Sequence, residues 1–246
     1  MNRLPAQPHR SLIDGIRVLQ RLAVAREPVM ITKLARELGL EPTRAHRLAK
    51  TMAHMGFAYQ TRERKYSCGP AMHVLAARSM FGSGLIQRAL PDLEKLCDYG
   101  LTVALGMVWE DQVSYLYHWS PGLARHEGLG RLAVYPAARS SIGIVLLAVR
   151  TNEEIRRTFH LPLRPRIPMR RELMADIRRA RHQGYGEIVE GRTRSLALSL
   201  GDPPYAAVAL SGRIRAQDVG RYLDILARTK AGIECRMQPK TSIRRS

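Results

Sequence analysis

The stretch from Ile31 to Tyr66 limits the possible folds of this chain more than any other. Thr32 is suited to cap a short helix over Lys33–Leu38, whose apolar face is Leu34, Ala35 and Leu38. Gly39 stands where a helix C-terminus calls for a left-handed residue. Pro42, tolerated in a first helical turn, opens a second helix that runs to about Met55 and stops at Gly56. Phe57–Tyr59 and Lys65–Ser67 read as short strands around a charged tip, Thr61–Arg64. Helix, tight turn, helix and basic ribbon in this order predict a winged helix-turn-helix.

Helical periodicity splits the second helix into two faces. Ala45, Leu48, Met52 and Met55 form the inner one. Thr43, Arg47, Lys50 and His54 share the outer one, with Arg44 and His46 at its edges. A recognition helix must bury one face and offer short polar and basic groups to the major groove, with Arg reaching guanine edges. The expected double-stranded DNA contacts are therefore Thr32, Thr43, Arg44, His46, Arg47 and Lys50, with Arg62, Arg64 and Lys65 of the wing on phosphate or minor groove. The competing reading is a solvated helical hairpin whose exposed arginines bind nothing.

Charge supports the first reading only in part. The chain carries 40 Lys and Arg against 21 Asp and Glu, a formal +19, which favours polyanionic partners. Residues 1–80 hold a net +9, 14 basic minus 5 acidic, so the positive charge is densest where the reader is expected. Yet 34 of the 40 basic residues are Arg, a skew that genome composition also produces.

The remaining chain reads as helices and strands in mixed order. Leu12–Ala25, Ala71–Met80 and Leu85–Tyr99 have helical spacing, and Gly82-Ser83-Gly84 suggests a hinge. Thr102–Val108 and Gln112–Trp119 alternate as strands about Glu110-Asp111, and Leu132–Pro136 is extended. Ile142–Arg150 is a buried helix, a further one starts at Asn152, residues 162–170 form a loop and Glu172–Gln183 is a basic helix. Arg194–Leu200 and Tyr205–Gly212 are strands before a last helix, Ala216–Gly232. The expected fold class is α+β. The expected division is residues 1–70 winged helix-turn-helix, 71–84 helical linker and 85–246 a second, α+β domain. Cys68, Cys97 and Cys235 are isolated, which argues against a disulfide framework or zinc knuckle. No apolar run is long enough to span a bilayer, so a cytoplasmic chain without a membrane partner is expected.

Thr32-Lys33-Leu34-Ala35, Gly39-Leu40, Thr43–Leu48 and Gly56-Phe57 together resemble the winged helix of the IclR family of bacterial transcriptional regulators. Tyr66–Pro70 resembles the end of that family's wing. Tyr115-Leu116, Pro136, Gly143, Leu146–Ala148, Gln183–Tyr185 and Ala206–Gly212 resemble its second domain. The resemblance covers nearly the whole chain. It departs at Ala138 and Ile144, where the family usually has His and Lys.

This resemblance implies a GAF-like second domain that binds a small organic or aromatic acid. By position, Ser140, Ser141 and Ile142 would line its pocket, with Met107 and Tyr117 from two strands and Ser199, Ala209 and Ser211 from two others. Arg139 is the expected partner of a ligand carboxylate. For each Ser, a helix cap or a satisfied strand hydroxyl is the competing role. The expected partners are an operator, a small-molecule effector and a second copy, as homodimer or dimer of dimers, paired along Leu75, Met80 and Leu85. Neither a cofactor nor a metal is expected. His126-Glu127 and His160 lack metal-ligand spacing, and Gly82-Ser83-Gly84 is no nucleophile elbow, so catalysis is not expected. An architectural, sequence-tolerant DNA binder is the alternative, carried by Arg170, Arg171, Arg178, Arg179, Arg181 and the tail Arg236, Lys240, Arg244 and Arg245.

Overall fold

The computed structural model describes residues 9–129, 134–160 and 172–237. They form two compact units, one ending at Gly82 and one beginning at Ser83.

The first unit contains α1 (Arg10–Ala23), α2 (Ile31–Leu38), α3 (Pro42–His54), β1 (Ala58–Gln60), β2 (Tyr66–Cys68) and α4 (Pro70–Ser83). Val18 and Leu22 of α1, Leu34 and Leu38 of α2, and Ala49 and Met52 of α3 pack around Tyr66. Gly39 ends α2 in the left-handed region (φ 65°), where a Cβ is disfavoured, and its N–H closes the helix on Arg36. α2 begins at Ile31, two residues earlier than expected. Met30 occupies its N-cap, and Thr32 lies exposed in the first turn without capping. On α3 the inner face turns further than expected. Ala49 is buried, whereas Met55 falls beyond the helix end and is 59% exposed. α1 likewise presents Leu12 and Ile16 outward and buries Val18 in their place.

The wing strands pair antiparallel, and Val29 adds a third rung by exchanging backbone bonds with Tyr66 at 2.7 and 2.8 Å. Tyr66 is wholly buried, yet its hydroxyl has no hydrogen-bond partner among the described residues. An unpaired buried hydroxyl costs more than its absence. Tyr66→Phe is therefore expected to raise stability by about 1 kcal/mol, read as a higher denaturant midpoint at unchanged slope. A lowered midpoint would contradict this.

The second unit is a six-stranded antiparallel sheet in the order β5-β4-β3-β8-β7-β6. Its strands are β3 (Thr102–Trp109), β4 (Gln112–Trp119), β5 (Val134–Pro136), β6 (Gly186–Glu190), β7 (Thr193–Leu200) and β8 (Ala206–Gly212). On one face α5 (Leu85–Cys97) and α9 (Val219–Met237) bury Leu85, Leu93, Leu226 and Ile233 against Leu105, Leu196 and Leu210. On the other, α6 (Ser141–Ala148) and α8 (Leu173–Gln183) bury Ile142, Leu147 and Ile177 against Ala104, Ala197 and Ala209. α7 (Asn152–His160) follows α6. Small residues on the second face let α6 approach the sheet closely. This is the α+β fold expected from the mixed element order.

Leu85, expected on a dimer seam, belongs instead to the core of the second unit at 2% exposure. α4 continues through Gly82 and stops at Gly84, which is left-handed (φ 61°). β6 was not anticipated. The expected extended residues 132–133, the loop 162–170 and most of the first ten residues lie outside the described residues. Among the described residues, no helix is long and apolar enough to cross a membrane.

Candidate functional site

On the first unit, Thr43, Arg47, Lys50 and His54 stand exposed along one side of α3, opposite Ala45, Ala49 and Met52. Among the described residues, Arg47 and Lys50 have no carboxylate within ion-pair distance. The edge residues differ. Arg44 is drawn back to α1, 2.8 Å from Asp14, which also faces Arg17 at 3.6 Å. His46 packs edge-on against Tyr66 with ring centres 6.3 Å apart, so it joins helix to wing. At the wing tip Arg62 and Arg64 are exposed, and Arg64 is left-handed (φ 60°) as the turn closes on Thr61. Lys65 pairs with Glu63 at 2.6 Å, which raises the lysine's pKa and lowers the carboxylate's.

The second unit holds a cavity of about 480 Å³ on the α6 side of the sheet. All six strands contribute to it, with the turn that leads into α6. Arg139, Ser140, Ser141, Ile142, Ala209 and Ser211 line it. Met107 and Tyr117, both expected there, do not. Met107 alternates with Ala104, Gly106 and Val108 and packs on the opposite face. Tyr117 is displaced by a bulge. Leu105 pairs with Tyr117 while Gly106 pairs with Tyr115, so Leu116 is an extra residue. The face alternation therefore slips, and His118 rather than Tyr117 joins Tyr115 at the cavity. Tyr117 turns into the other core, donating to the Arg125 carbonyl at 3.1 Å. Ser199 points to the cavity's face but lies two rungs too far along β7. Ser195, opposite Ser211, takes the place expected for it.

Hydroxyls dominate the lining, and several bond one another. Ser141 and Ser195 are 2.6 Å apart, and the Tyr115 hydroxyl is 3.3 Å from Ser140. Burial pushes the Tyr115 phenol up, with Ser140 offsetting part of the effect, so it stays protonated at neutral pH. Ser140 precedes α6 without its side chain capping the helix. The positive end of α6 thus opens on the cavity wall. At the mouth, Arg139 donates through Nε and Nη2 to Glu190 at 3.3 and 3.1 Å. That bond, with Tyr135 nearby, raises the pKa of Arg139.

Two glycines seat α6. A Cβ on Gly143 would lie 2.0 Å from the Ala137 carbonyl oxygen, and one on Gly186 would lie 2.2 Å from that of Ser141.

Residues 11–62 match the family model of the IclR helix-turn-helix domain. Over 109 residues the chain is 30% identical to the HTH-type transcriptional regulator BhcR of Paracoccus denitrificans; the match spans 44% of this chain and 39% of that relative's length. An IclR family transcriptional regulator from Brucella abortus shares the fold, at 18% identity over 94% of this chain and 93% of that one, with a TM-score of 0.75. So does an IclR homolog from Microbacterium hydrocarbonoxydans complexed with 4-hydroxybenzoate, at 22% identity, 93% and 99% coverage and a TM-score of 0.60. Residues 11–62 thus form a helix-turn-helix domain of the IclR type.

Ala138 and Ile144, the two departures from the resemblance, are buried at 1% and 0% exposure. Ile144 packs in the apolar core beside α6, so no cation enters there. Sequence reasoning missed Thr102, Ala104, Tyr115, His118, Tyr135, Ile188, Glu190, Thr193 and Ser195. Ile188, Glu190 and Thr193 come from the β6–β7 hairpin, whose signal was the Gly191-Arg192 turn between two alternating runs. The arginines behind the architectural alternative are partly occupied. Arg181 donates to the Ala148 and Arg150 carbonyls and to Asn152 at 2.6–2.8 Å. Arg179 pairs with Asp176 at 3.5 Å, and Arg236 pairs with Asp92. Arg170, Arg171, Lys240, Arg244 and Arg245 lie outside the described residues.

Proposed function

We propose that this chain is a sequence-specific DNA-binding transcriptional regulator whose operator affinity is set by a small acid bound in the cavity of its second unit. The observation that carries the reading is the exposed side of α3, where Thr43, Arg47, Lys50 and His54 stand clear of the core on a winged helix-turn-helix. Such a helix offers its first turns to base edges in the major groove, and the wing offers Arg62 and Arg64 to the backbone. Lys65 and Arg44 would have to leave Glu63 and Asp14 to make the same contacts. Thr32, exposed in the first turn of α2, is proposed as a backbone contact. The BhcR relative, an HTH-type transcriptional regulator, and the IclR homolog complexed with 4-hydroxybenzoate support the two halves of this reading. Arg139, Ser140, Ser141 and Ser211 are the groups proposed to hold the acid. One winged helix reads too few base pairs for a genomic site, so a homodimer or dimer of dimers on a pseudo-palindrome is part of the proposal.

The test uses a duplex selected from a random pool by the wild-type chain. Arg47→Ala is expected to lose about tenfold or more in affinity for that duplex while keeping its affinity for random DNA and its thermal midpoint. Undiminished specific binding would remove Arg47 from the reading face. Equal wild-type affinity for selected and random DNA would sink the regulator reading itself.

A further inference from the structure

The pair at the cavity mouth carries more information than its strength suggests. Among the described residues that line the cavity, Arg139 and Glu190 are the fixed cation and the carboxylate. Their side chains are 53% and 44% exposed, so the pair holds the fold only weakly. It is also incomplete. Both bonds from Arg139 go to one oxygen of Glu190, Oε1. The Nη1 edge of the guanidinium and the second oxygen of Glu190 take no part in the pair. A guanidinium has five N–H donors and an ionised carboxylate accepts at both oxygens, so each partner keeps hydrogen-bonding capacity beyond the pair.

We propose that Glu190 determines ligand specificity, and that the cavity takes a small carboxylic acid bearing a hydrogen-bond donor, hydroxyl or ammonium, on carbon 2. This rests on the reading of the cavity as an acid site. A plain carboxylate placed on the free edge of Arg139 comes within a few ångström of the Glu190 carboxylate, and the two like charges repel in a partly desolvated mouth. A ligand offsets that repulsion by giving Glu190 a hydrogen. Because Arg139 and Glu190 touch, the donor must sit beside the ligand's own carboxyl group. That condition is met by a substituent on carbon 2 and not by one across a ring. The remainder of the ligand would lie against Ile142, Ile188 and Tyr115, with the positive end of α6 adding to the hold on the acid.

Calorimetric titration of the full chain with matched acids tests this. Phenylacetate, mandelate and phenylglycine share one skeleton and carry hydrogen, hydroxyl and ammonium on carbon 2. Propionate, lactate and alanine repeat the series at small size. In at least one series the hydroxy or amino acid is expected to bind about tenfold or more tighter than its unsubstituted parent, and which one wins identifies the donor. In Glu190→Gln the gap is expected to shrink to roughly two- to threefold, mainly because the unsubstituted acid gains. Equal binding of parent and substituted acids to the wild type overturns the inference and leaves the acid-site reading standing, as does a gap that Glu190→Gln leaves intact. If none of the six acids binds, the acid-site reading falls and this inference with it.

Discussion

Gly143→Ala is expected to cost roughly 3 kcal/mol, at the upper end for overpacking, and to lower the thermal midpoint of the chain by about 6–12 °C. The new methyl group would meet backbone and not a side chain that can swing away. The ideal Cβ lies 2.0 Å from the Ala137 oxygen and 2.6 Å from the Ala137 Cα and carbonyl carbon. Real contacts of this kind open only if α6 lifts off the turn over Ala137–Arg139, and that turn delivers Arg139 and Ser140 to the cavity. The loss should therefore extend to ligand binding. Gly220→Ala is the matched control. Gly220 lies in α9, nothing stands within 4 Å of its Cβ, and its φ is not in the left-handed region. Alanine there should stabilise by about 0.5–1 kcal/mol. Similar midpoints for the two variants would show that α6 is not seated by this contact.

The second large effect is expected at α4. This 14-residue helix buries none of its residues within the chain. It carries no Asp or Glu, and its charged or titratable side chains are His73 and Arg78. Phe81 is 77%, Leu75 56% and Val74 53% exposed, and the apolar Leu12, Ile13 and Ile16 are also uncovered on α1. An apolar helix of this kind in water calls for a partner, and a paired DNA half-site calls for a second copy. Replacing Leu75 and Phe81 together by Glu is expected to convert the sedimenting species to a monomer. It should lower affinity for a pseudo-palindromic site on the order of 100-fold, with binding to random DNA largely kept. An unchanged sedimentation coefficient would take α4 out of the assembly. Both positions are solvent-facing, so the thermal midpoint at low protein concentration is the check that the fold survives.

The reader was legible because helical periodicity is a local signal. The 3.6-residue repeat separated Arg47 and Lys50 from Ala45 and Met52 without reference to anything outside α3. It failed at Met55 because the helix ends at His54, and periodicity says nothing beyond a terminus. It also could not see that Asp14, thirty residues upstream, occupies Arg44. The cavity was legible where it is sequence-local. Arg139, Ser140, Ser141 and Ile142 form one run entering α6. The strand residues were harder because their side depends on parity along the whole strand. Met107 and Tyr117 look as suitable as Tyr115 and His118 until the pairing register is known. Glu190 was missed because β6 is a five-residue edge strand of mixed polarity, too short for alternation to stand out.

The extra residue at Leu116 acts on β4 much as an inserted base acts on a coding sequence. Upstream of it, odd-numbered side chains such as Val113 and Tyr115 face α6; downstream, the even-numbered His118 does. Deleting Leu116 would thus remove the extra residue and restore regular alternation, leaving Tyr117 opposite Leu105 and His118 opposite Ala104 on their present faces. The insertion instead lets Tyr115 and His118, an odd number of residues apart, stand on one face with ring centres 5.0 Å apart, which unbroken alternation would forbid.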